Sequence, residues 1–557
     1  MIKILNYRKI ILLGFALSGA AALIYEVAWT RSLQLVLGTT VYAVSTMLTA
    51  FMAGLAIGAW VIGRYADRIK NLPLAFCLIE AGIGIYGVLM IFIFNALPYL
   101  FLNIYHTFHV SFSAFGFLQF LVCFGVMLIP TMLMGGTFPI VSKIYAKEME
   151  KLGRDIGTAY SADTLGAVLG SFAAGFALIP LIGLRNTIMF AALINIFVSI
   201  FVFTFFRIKR KLVIASIVLL FALSTLTVPG YDEKALNLGL YQRASSFESE
   251  EDFRNVIENM KLLYCEDGLY GTVSVTEHGS DGLRCLRING KPDASTSIYD
   301  MPTQLLLGYV PLFLHDQPES VLNIGLGGGF TLGAISNFEV KKIDVVEIDE
   351  LVIEAEKYFS DYNGNVLEDE RVNVIVADAR NYLFLSDEKY DVIISEPSDP
   401  WISGACSNLF TKEFFELVRE HLNEDGIFVQ WIPAYGISFS DFRILLNTFV
   451  QEYNYTTFWT SGDILFLGSE SPMEVDGTRL DNFFSNVEIF RDMEGIGIEN
   501  ADAFLSRFIM NDYKARRLAQ GASINTDDKP ILEFSIPISM LTGVSEDIIQ
   551  KIVQYTG

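Results

Sequence analysis

The sequence predicts a multidomain chain: an N-terminal α-helical bundle built for lipid, then an acidic α/β domain entered through a small β-hairpin subdomain. Three observations predict it. Of the 557 residues 52% are apolar, and the mean hydropathy is +0.42. The charge divides near residue 230: Met1 to Gly230 holds 16 of the 40 Lys/Arg and 7 of the 62 Asp/Glu, leaving 24 and 55 for the rest. Beyond that point the apolar runs shorten to strand length and are punctuated by glycine. The expected parts are 1–230 for the helical domain, 231–262 for a linker with a helix, 263–302 for the β subdomain and 303–557 for the α/β domain. The acidic part repels nucleic acid, so no nucleic-acid partner is expected, and it favours cationic ligands.

A span needs about 20 apolar residues. Seven such runs are expected, at 10–29, 40–62, 72–97, 112–138, 156–182, 185–206 and 212–229. Basic residues cluster before span one and after spans two, four and six (Arg8, Arg64, Lys143 and Arg207 among them), always on one side. That side is expected to be cytoplasmic. Seven spans then place the acidic domain outside the cytoplasm; if span seven only lies on the surface, the domain is cytoplasmic. Gly54/Gly58 and Gly166/Gly170, with Gly175, have the spacing of close helix contacts. Glu26, Glu80 and Asp163 lie in or beside spans. A carboxylate there has either an ion-pair partner, such as Arg31 for Glu26, or a role on a cation path.

The cysteines offer no metal-ligand spacing, and no metal is expected. In the acidic part, strand-like runs at 270–275 and 283–288 flank a turn, and Asn289-Gly290-Lys291 makes a second turn. A helix is expected over 301–314. Then Val321–Ile324 runs into Gly325-Leu326-Gly327-Gly328-Gly329, where glycines let the backbone approach a nucleotide. The next strand ends at Glu347, placed to accept two ribose hydroxyls. A third ends at Asp378-Ala379, placed for an adenine amino group. A fourth ends at Glu396-Pro397-Ser398-Asp399. Four strands ending in polar groups at one sheet edge predict a ligand site there. This spacing resembles the class I S-adenosylmethionine-binding, Rossmann-like fold.

Residues 265–440 resemble the aminopropyltransferases, the spermidine and spermine synthases. The shared order is the hairpin, the Asn-Gly turn, Val310-Pro311-Leu312, the glycine loop, Val346-Glu347-Ile348-Asp349, Asp378-Ala379, the acid loop and Leu409-Phe410-Thr411. The whole chain is similar to bacterial membrane proteins with a fused spermidine synthase-like domain, through Ser18-Gly19-Ala20, Glu396-Pro397-Ser398-Asp399-Pro400-Trp401 and Asn525-Thr526-Asp527-Asp528. The chain also departs from the family: Gly328 stands where the synthases carry an Asp, Glu396 where the acid loop opens with a catalytic Asp, and Thr303-Gln304-Leu305 where Tyr-His-Glu is usual.

The resemblance implies aminopropyl transfer from decarboxylated S-adenosylmethionine, as co-substrate, to a diamine such as putrescine. It places Gly325, Gly327, Gly329, Glu347, Asp378 and Ala379 on the donor. Glu396 is the expected base, with Asp399 as catalytic partner and anchor for the cationic acceptor. Asp293, Asp300, Gln304 and Tyr270 are expected to line the acceptor's pocket. The family's soluble members imply a homo-oligomer. Two other readings stand beside it, the first favoured by Gly328 and the second by the intramembrane acids and the outward topology. One is an S-adenosylmethionine-dependent amine N-methyltransferase. The other is a polyamine or nucleoside transporter or sensor whose soluble domain binds without turnover.

Overall fold

The computed structural model describes residues 2–107, 112–146, 149–206, 216, 221, 225, 228–279, 282–401, 404–475, 477–541 and 547–556. Its contacts divide the chain into two units. The first is Met1–Glu258 with Glu266–Thr272 and Asn289–Lys291; the second is Asn259–Cys265, Val273–Ile288 and Pro292–Gly557.

The first unit contains the long helices α1 (Ile2–Leu37), α2 (Val41–Ala66), α3 (Leu72–Thr107), α4 (Phe112–Tyr145), α5 (Leu152–Ala173) and α6 (Ile179–Phe205). Gly38, at φ +92°, separates α1 from α2, and the Thr40 hydroxyl caps α2 by accepting from Ala43 N at 3.3 Å. Five segments are long and apolar enough to cross a membrane: Arg8–Leu37, Val41–Ala66, Leu72–Thr107, Phe117–Tyr145 and Met149–Phe205. The last runs for 57 residues. A straight helix of that length would reach about 85 Å, far more than the ~30 Å a bilayer core needs. Gly183 interrupts it with non-helical angles (φ 76°, ψ 167°), between the two spans expected there. Most of the expected seventh run, 212–229, lies outside the described residues.

The small residues do pack helix on helix. A Cβ on Gly54 or Gly58 of α2 would overlap Thr131 or Met132 of α4. One on Gly166 or Gly170 of α5 would overlap Ala16 or Ala20 of α1. Gly175 has open space around it. Large apolar side chains face outward on this unit, among them Trp60, Phe117, Phe172, Phe176 and Leu181. A surface of that kind is unfavourable in water.

Two sheets follow. The first has four strands in the order β1 (Met260–Asp267), β2 (Thr272–His278), β3 (Leu283–Ile288) and β4 (Lys291–Ser295). β2 and β3 pair antiparallel from Val273↔Ile288 to His278↔Leu283. Asn289 and Gly290 both take left-handed angles (φ 50° and 81°), as a tight Asn-Gly turn requires.

The second sheet lies within the second unit. Its strands are β5 (Ser320–Ile324), β6 (Lys342–Glu347), β7 (Val372–Val376), β8 (Tyr390–Ser395), β9 (Leu422–Ile432), β10 (Tyr455–Thr460), β11 (Ile464–Ser469) and β12 (Phe508–Asn511), in the spatial order 12-10-11-9-8-5-6-7. β9, β8, β5, β6 and β7 are parallel, and β11, β10 and β12 extend the sheet antiparallel. The inner strands are apolar on both faces because helices cover both. The strand order reverses at β5, so the segments leaving β5 and β8 lie side by side at the carboxyl edge. A backbone bond joins them, Glu396 N donating to Ile324 O at 3.0 Å, and Gly325 N donates to Val346 O of β6 at 2.9 Å.

Candidate functional site

The site is built from the ends of β5, β6, β7 and β8. Leaving β5, Gly325, Gly327 and Gly329 all have positive φ (+90°, +54° and +74°). Gly325 is the most constrained, since a Cβ there would lie 2.7 Å from Glu396 O. The loop is pinned from β6. Glu347 is buried, and its Oε2 accepts from Leu326 N at 2.9 Å while its Oε1 accepts from Asp349 N at 3.0 Å. Burial raises its pKa, and backbone amides, those of Leu326 and Asp349 foremost, oppose that shift. Each oxygen keeps a second lone pair, enough to accept a pair of vicinal hydroxyls. Asp378 caps the helix Ala379–Leu385, with Oδ1 accepting from Asn381 N at 2.8 Å, and Ala379 is buried behind it. Capping uses one oxygen of Asp378 and leaves the other available as an acceptor.

From β8 comes Glu396. Its Oε2 accepts from Thr331 Oγ1 at 2.7 Å, and that hydroxyl lies equally close, 2.7 Å, to Gln304 O. One hydroxyl proton cannot serve both acceptors. When Glu396 is ionised it takes the Thr331 proton. When Glu396 is protonated it donates to Oγ1, which then donates to Gln304 O. The pKa of Glu396 is pushed up to about 7, first by burial and then by the negative charges of Asp463 and Asp293, while Thr331 pulls it down. A Thr331→Val variant should therefore move the acid limb of any Glu396-dependent rate profile to higher pH, by about one pH unit. An unchanged limb would show that Glu396 does not govern that profile.

Other carboxylates gather here. Asp399 is fully buried, and Tyr435 Oη donates to its Oδ1 at 3.1 Å. Asp293 Oδ1 accepts from Ser398 Oγ at 2.6 Å. Asp300 accepts from Ser295 Oγ, and Gln304 Nε2 donates to Ser295 O at 3.0 Å. Tyr270 belongs to the first unit and is 53% exposed.

Asp463 joins the group with no warning from the sequence. It sits in the turn from β10 to β11, after Gly462 (φ +113°). Trp431 Nε1 donates to its Oδ2 at 3.0 Å and Ala434 N to its Oδ1 at 2.9 Å. Ser461 Oγ bonds Thr303 Oγ1 at 3.0 Å, which ties this turn to the helix Met301–Leu314. Burial, then Asp399 and Asp300, push the pKa of Asp463 up to about 6. In sequence, Ser461-Gly462-Asp463 reads as a solvated hairpin turn. Thr331 and Tyr435 gave no signal either. Among the described residues no salt bridge reaches Glu396, Asp300 or Asp463. Such a concentration of negative charge is stabilised by a polycation.

Gly328 explains one departure in the glycine loop: a Cβ there would run into the ring of Phe330. An aspartate at this position would have to displace that ring.

Residues 301–434 match the family described as the spermine/spermidine synthase domain. The polyamine aminopropyltransferase of Methanocaldococcus jannaschii is 34% identical over 197 residues, which is 33% of this chain and 66% of that protein. That of Saccharolobus solfataricus is 34% identical over 197 residues, 35% of this chain and 64% of that protein. The chain thus spans just under two thirds of these two relatives. The polyamine aminopropyltransferase of Oceanobacillus iheyensis is 25% identical over 431 residues, 76% of this chain and 77% of that protein. That match is longer than the second unit, so it reaches into the helical unit. A solved spermidine synthase from Thermotoga maritima is 21% identical with a TM-score of 0.38, covering 46% of this chain and 87% of its own.

Proposed function

We propose, for a chain that carries a spermine/spermidine synthase domain fused to an N-terminal helical region, that it is a membrane-anchored polyamine aminopropyltransferase. The reading is that it moves an aminopropyl group from decarboxylated S-adenosylmethionine to a diamine such as putrescine. The observation that carries this is the carboxylate cluster beside the glycine loop, with a base of pKa about 7 at its centre.

On the donor side, the tight backbone at Gly325, Gly327 and Gly329 leaves room for a nucleoside. Glu347 takes the ribose hydroxyls, and Asp378 with Ala379 takes the adenine edge. The donor's sulfonium supplies the leaving group. On the acceptor side, a diamine enters doubly protonated and is held by charge. Asp463 and Asp399 grip the far ammonium, with Asp293, Asp300 and Gln304 closing around it. Glu396 takes a proton from the near ammonium. The freed nitrogen then attacks the carbon on sulfur, a C–N bond forms, the C–S bond breaks, and methylthioadenosine leaves with the electron pair. With no acid at 328, the amine-binding charge comes from the 461–463 turn instead.

We read the helical unit as a seven-span anchor, its basic side cytoplasmic, which puts the α/β domain outside; a surface-lying seventh segment would return it to the cytoplasm. The outward-facing aromatic and leucine side chains support the membrane setting. Residues 263–302 are read as the hairpin subdomain over the acceptor.

The test is a donor panel on detergent-purified full-length protein, with products read by mass spectrometry. Decarboxylated S-adenosylmethionine with putrescine should yield methylthioadenosine and spermidine. Gly328, with Phe330 filling the space of the missing acid, favours methylation as the second reading. Adenosylhomocysteine and a methylated amine formed from S-adenosylmethionine would establish that reading and overturn the first.

A further inference from the structure

The helical unit buries a carboxylate that the transfer reaction does not use. Glu80 of α3 is 0% exposed. Its Oε1 accepts from Ser18 Oγ of α1 at 2.6 Å, and its Oε2 accepts from Asn195 Nδ2 of α6 at 2.8 Å. The next residue on α1, Gly19, lies against α5, where a Cβ would stand 2.6 Å from Asp163 Oδ1. Helix α1 thus runs between two carboxylates at one level.

That level is deep. Ser18, Glu80 and Asp163 follow the basic residues Arg8, Lys70 and Arg154 by nine or ten positions. At 1.5 Å per residue this is about 15 Å, half of a ~30 Å hydrocarbon core. Among the described residues no salt bridge reaches Glu80 or Asp163. Two of the bundle's basic groups are paired elsewhere, Arg8 with Asp155 at 3.3 Å and Lys143 with Asp67 at 2.9 Å. The titratable groups that sense Glu80 are Tyr25 of α1, Cys77 one turn back on α3, and Asp163 of α5, and none of them brings a positive charge. α6 contributes Asn195 and Ser199, both neutral; Ser199 Oγ donates to Cys77 O at 2.7 Å.

Two further oxygens are left over. Asn195 is 1% exposed, and its Oδ1 has no hydrogen-bond partner. Tyr25, two turns along α1 from Ser18, is fully buried with its hydroxyl likewise unpartnered. An ionised carboxylate at this depth with only neutral donors is strongly disfavoured, and so are unpartnered buried oxygens. A single positive charge removes the first cost, and an ion that also draws on Asn195 Oδ1 lowers the second.

We propose that Glu80, Ser18 and Asn195 form a binding site for one monovalent cation, a proton or a sodium ion, at mid-depth of the helical unit, with Asp163 across α1 adding negative charge and no ligand atom. Carboxylate, hydroxyl and amide oxygens suit either source. The inference does not depend on the reaction proposed for the α/β domain.

The experiment uses the full-length protein in lipid nanodiscs. Radioactive sodium binding is measured against choline, and infrared difference spectra report protonated carboxyl groups. In the sodium case, binding is saturable and becomes about tenfold weaker or more in Glu80→Gln and in Asn195→Leu. In the proton case, sodium does not bind, and a carboxylic acid band is present that Glu80→Gln abolishes. Ser18→Ala keeps the carboxylate and covers the event that Glu80→Gln does not fold: it should weaken sodium binding or shift the acid band. Wild-type protein with neither bound sodium nor a protonated carboxyl would overturn the proposal. So would either signal persisting unchanged in Glu80→Gln, or in Ser18→Ala where Glu80→Gln does not fold.

Discussion

Glu396→Gln should lower the rate of aminopropyl transfer by about 10²–10⁴, the contribution of a positioned general base. The amide keeps the size of the side chain and an oxygen for Thr331 to donate to, so donor binding should persist, measured by calorimetry with a nucleoside product. Loss of rate with donor affinity intact assigns the proton transfer to Glu396. A variant within a few-fold of wild type would remove it from the mechanism. In the wild-type protein the rate should fall as pH drops below about 7, where Glu396 becomes protonated, and level off above it. Stability carries the opposite sign. The folded protein holds this proton up to about 7, whereas an unfolded chain releases it near the ordinary 4.5. Between those values the native state binds more protons, so the contribution of Glu396 to stability is full below 4.5 and is lost as pH rises through 7.

Asp463→Asn should have the second largest effect, and on the acceptor alone. Removing one member of a buried, charged contact with a ligand costs about 2–5 kcal/mol. That corresponds to a loss of roughly 30-fold or more in kcat/KM for the diamine. KM for the donor should be unchanged, because Asp463 lies on the turn of β10 and β11 and not on the glycine loop. A second readout separates charge from packing. Asp463 helps hold the pKa of Glu396 up, so its neutralisation should move the acid limb of the rate profile to lower pH. A purely structural role for Asp463 would lower activity without moving that limb. Equal losses for donor and acceptor would place Asp463 outside the amine pocket.

The division of the chain was legible because it rests on properties each residue carries wherever it sits: charge, apolar run length and glycine punctuation. The carboxyl edge of the parallel strands was legible for the same reason. Gly325, Glu347, Asp378 and Glu396 each end a strand, and parallel strands bring their ends to one edge, so a linear pattern maps directly onto a site. The close helix contacts at Gly54, Gly58, Gly166 and Gly170 follow from spacing on a helical period.

The place of Asp463 was not legible in the same way. Asp463 lies more than sixty residues beyond Glu396, in a turn whose local sequence serves a hairpin equally well. Only the antiparallel extension of the sheet through β11 and β10 brings that turn to Thr303 of the helix Met301–Leu314, and only there do Trp431 and Ala434 fix its carboxylate. Glu80 is a similar case: its depth could be counted along the chain, but its partners on α1 and α6 come from helix packing. By itself the sequence determined the two kinds of domain, the long apolar helices and the strand ends that meet at one sheet edge, because composition and period act locally. Tertiary structure alone decided which carboxylates gather in one cluster and which pKa values shift, because burial and charge coupling depend on distance in space and not on distance along the chain.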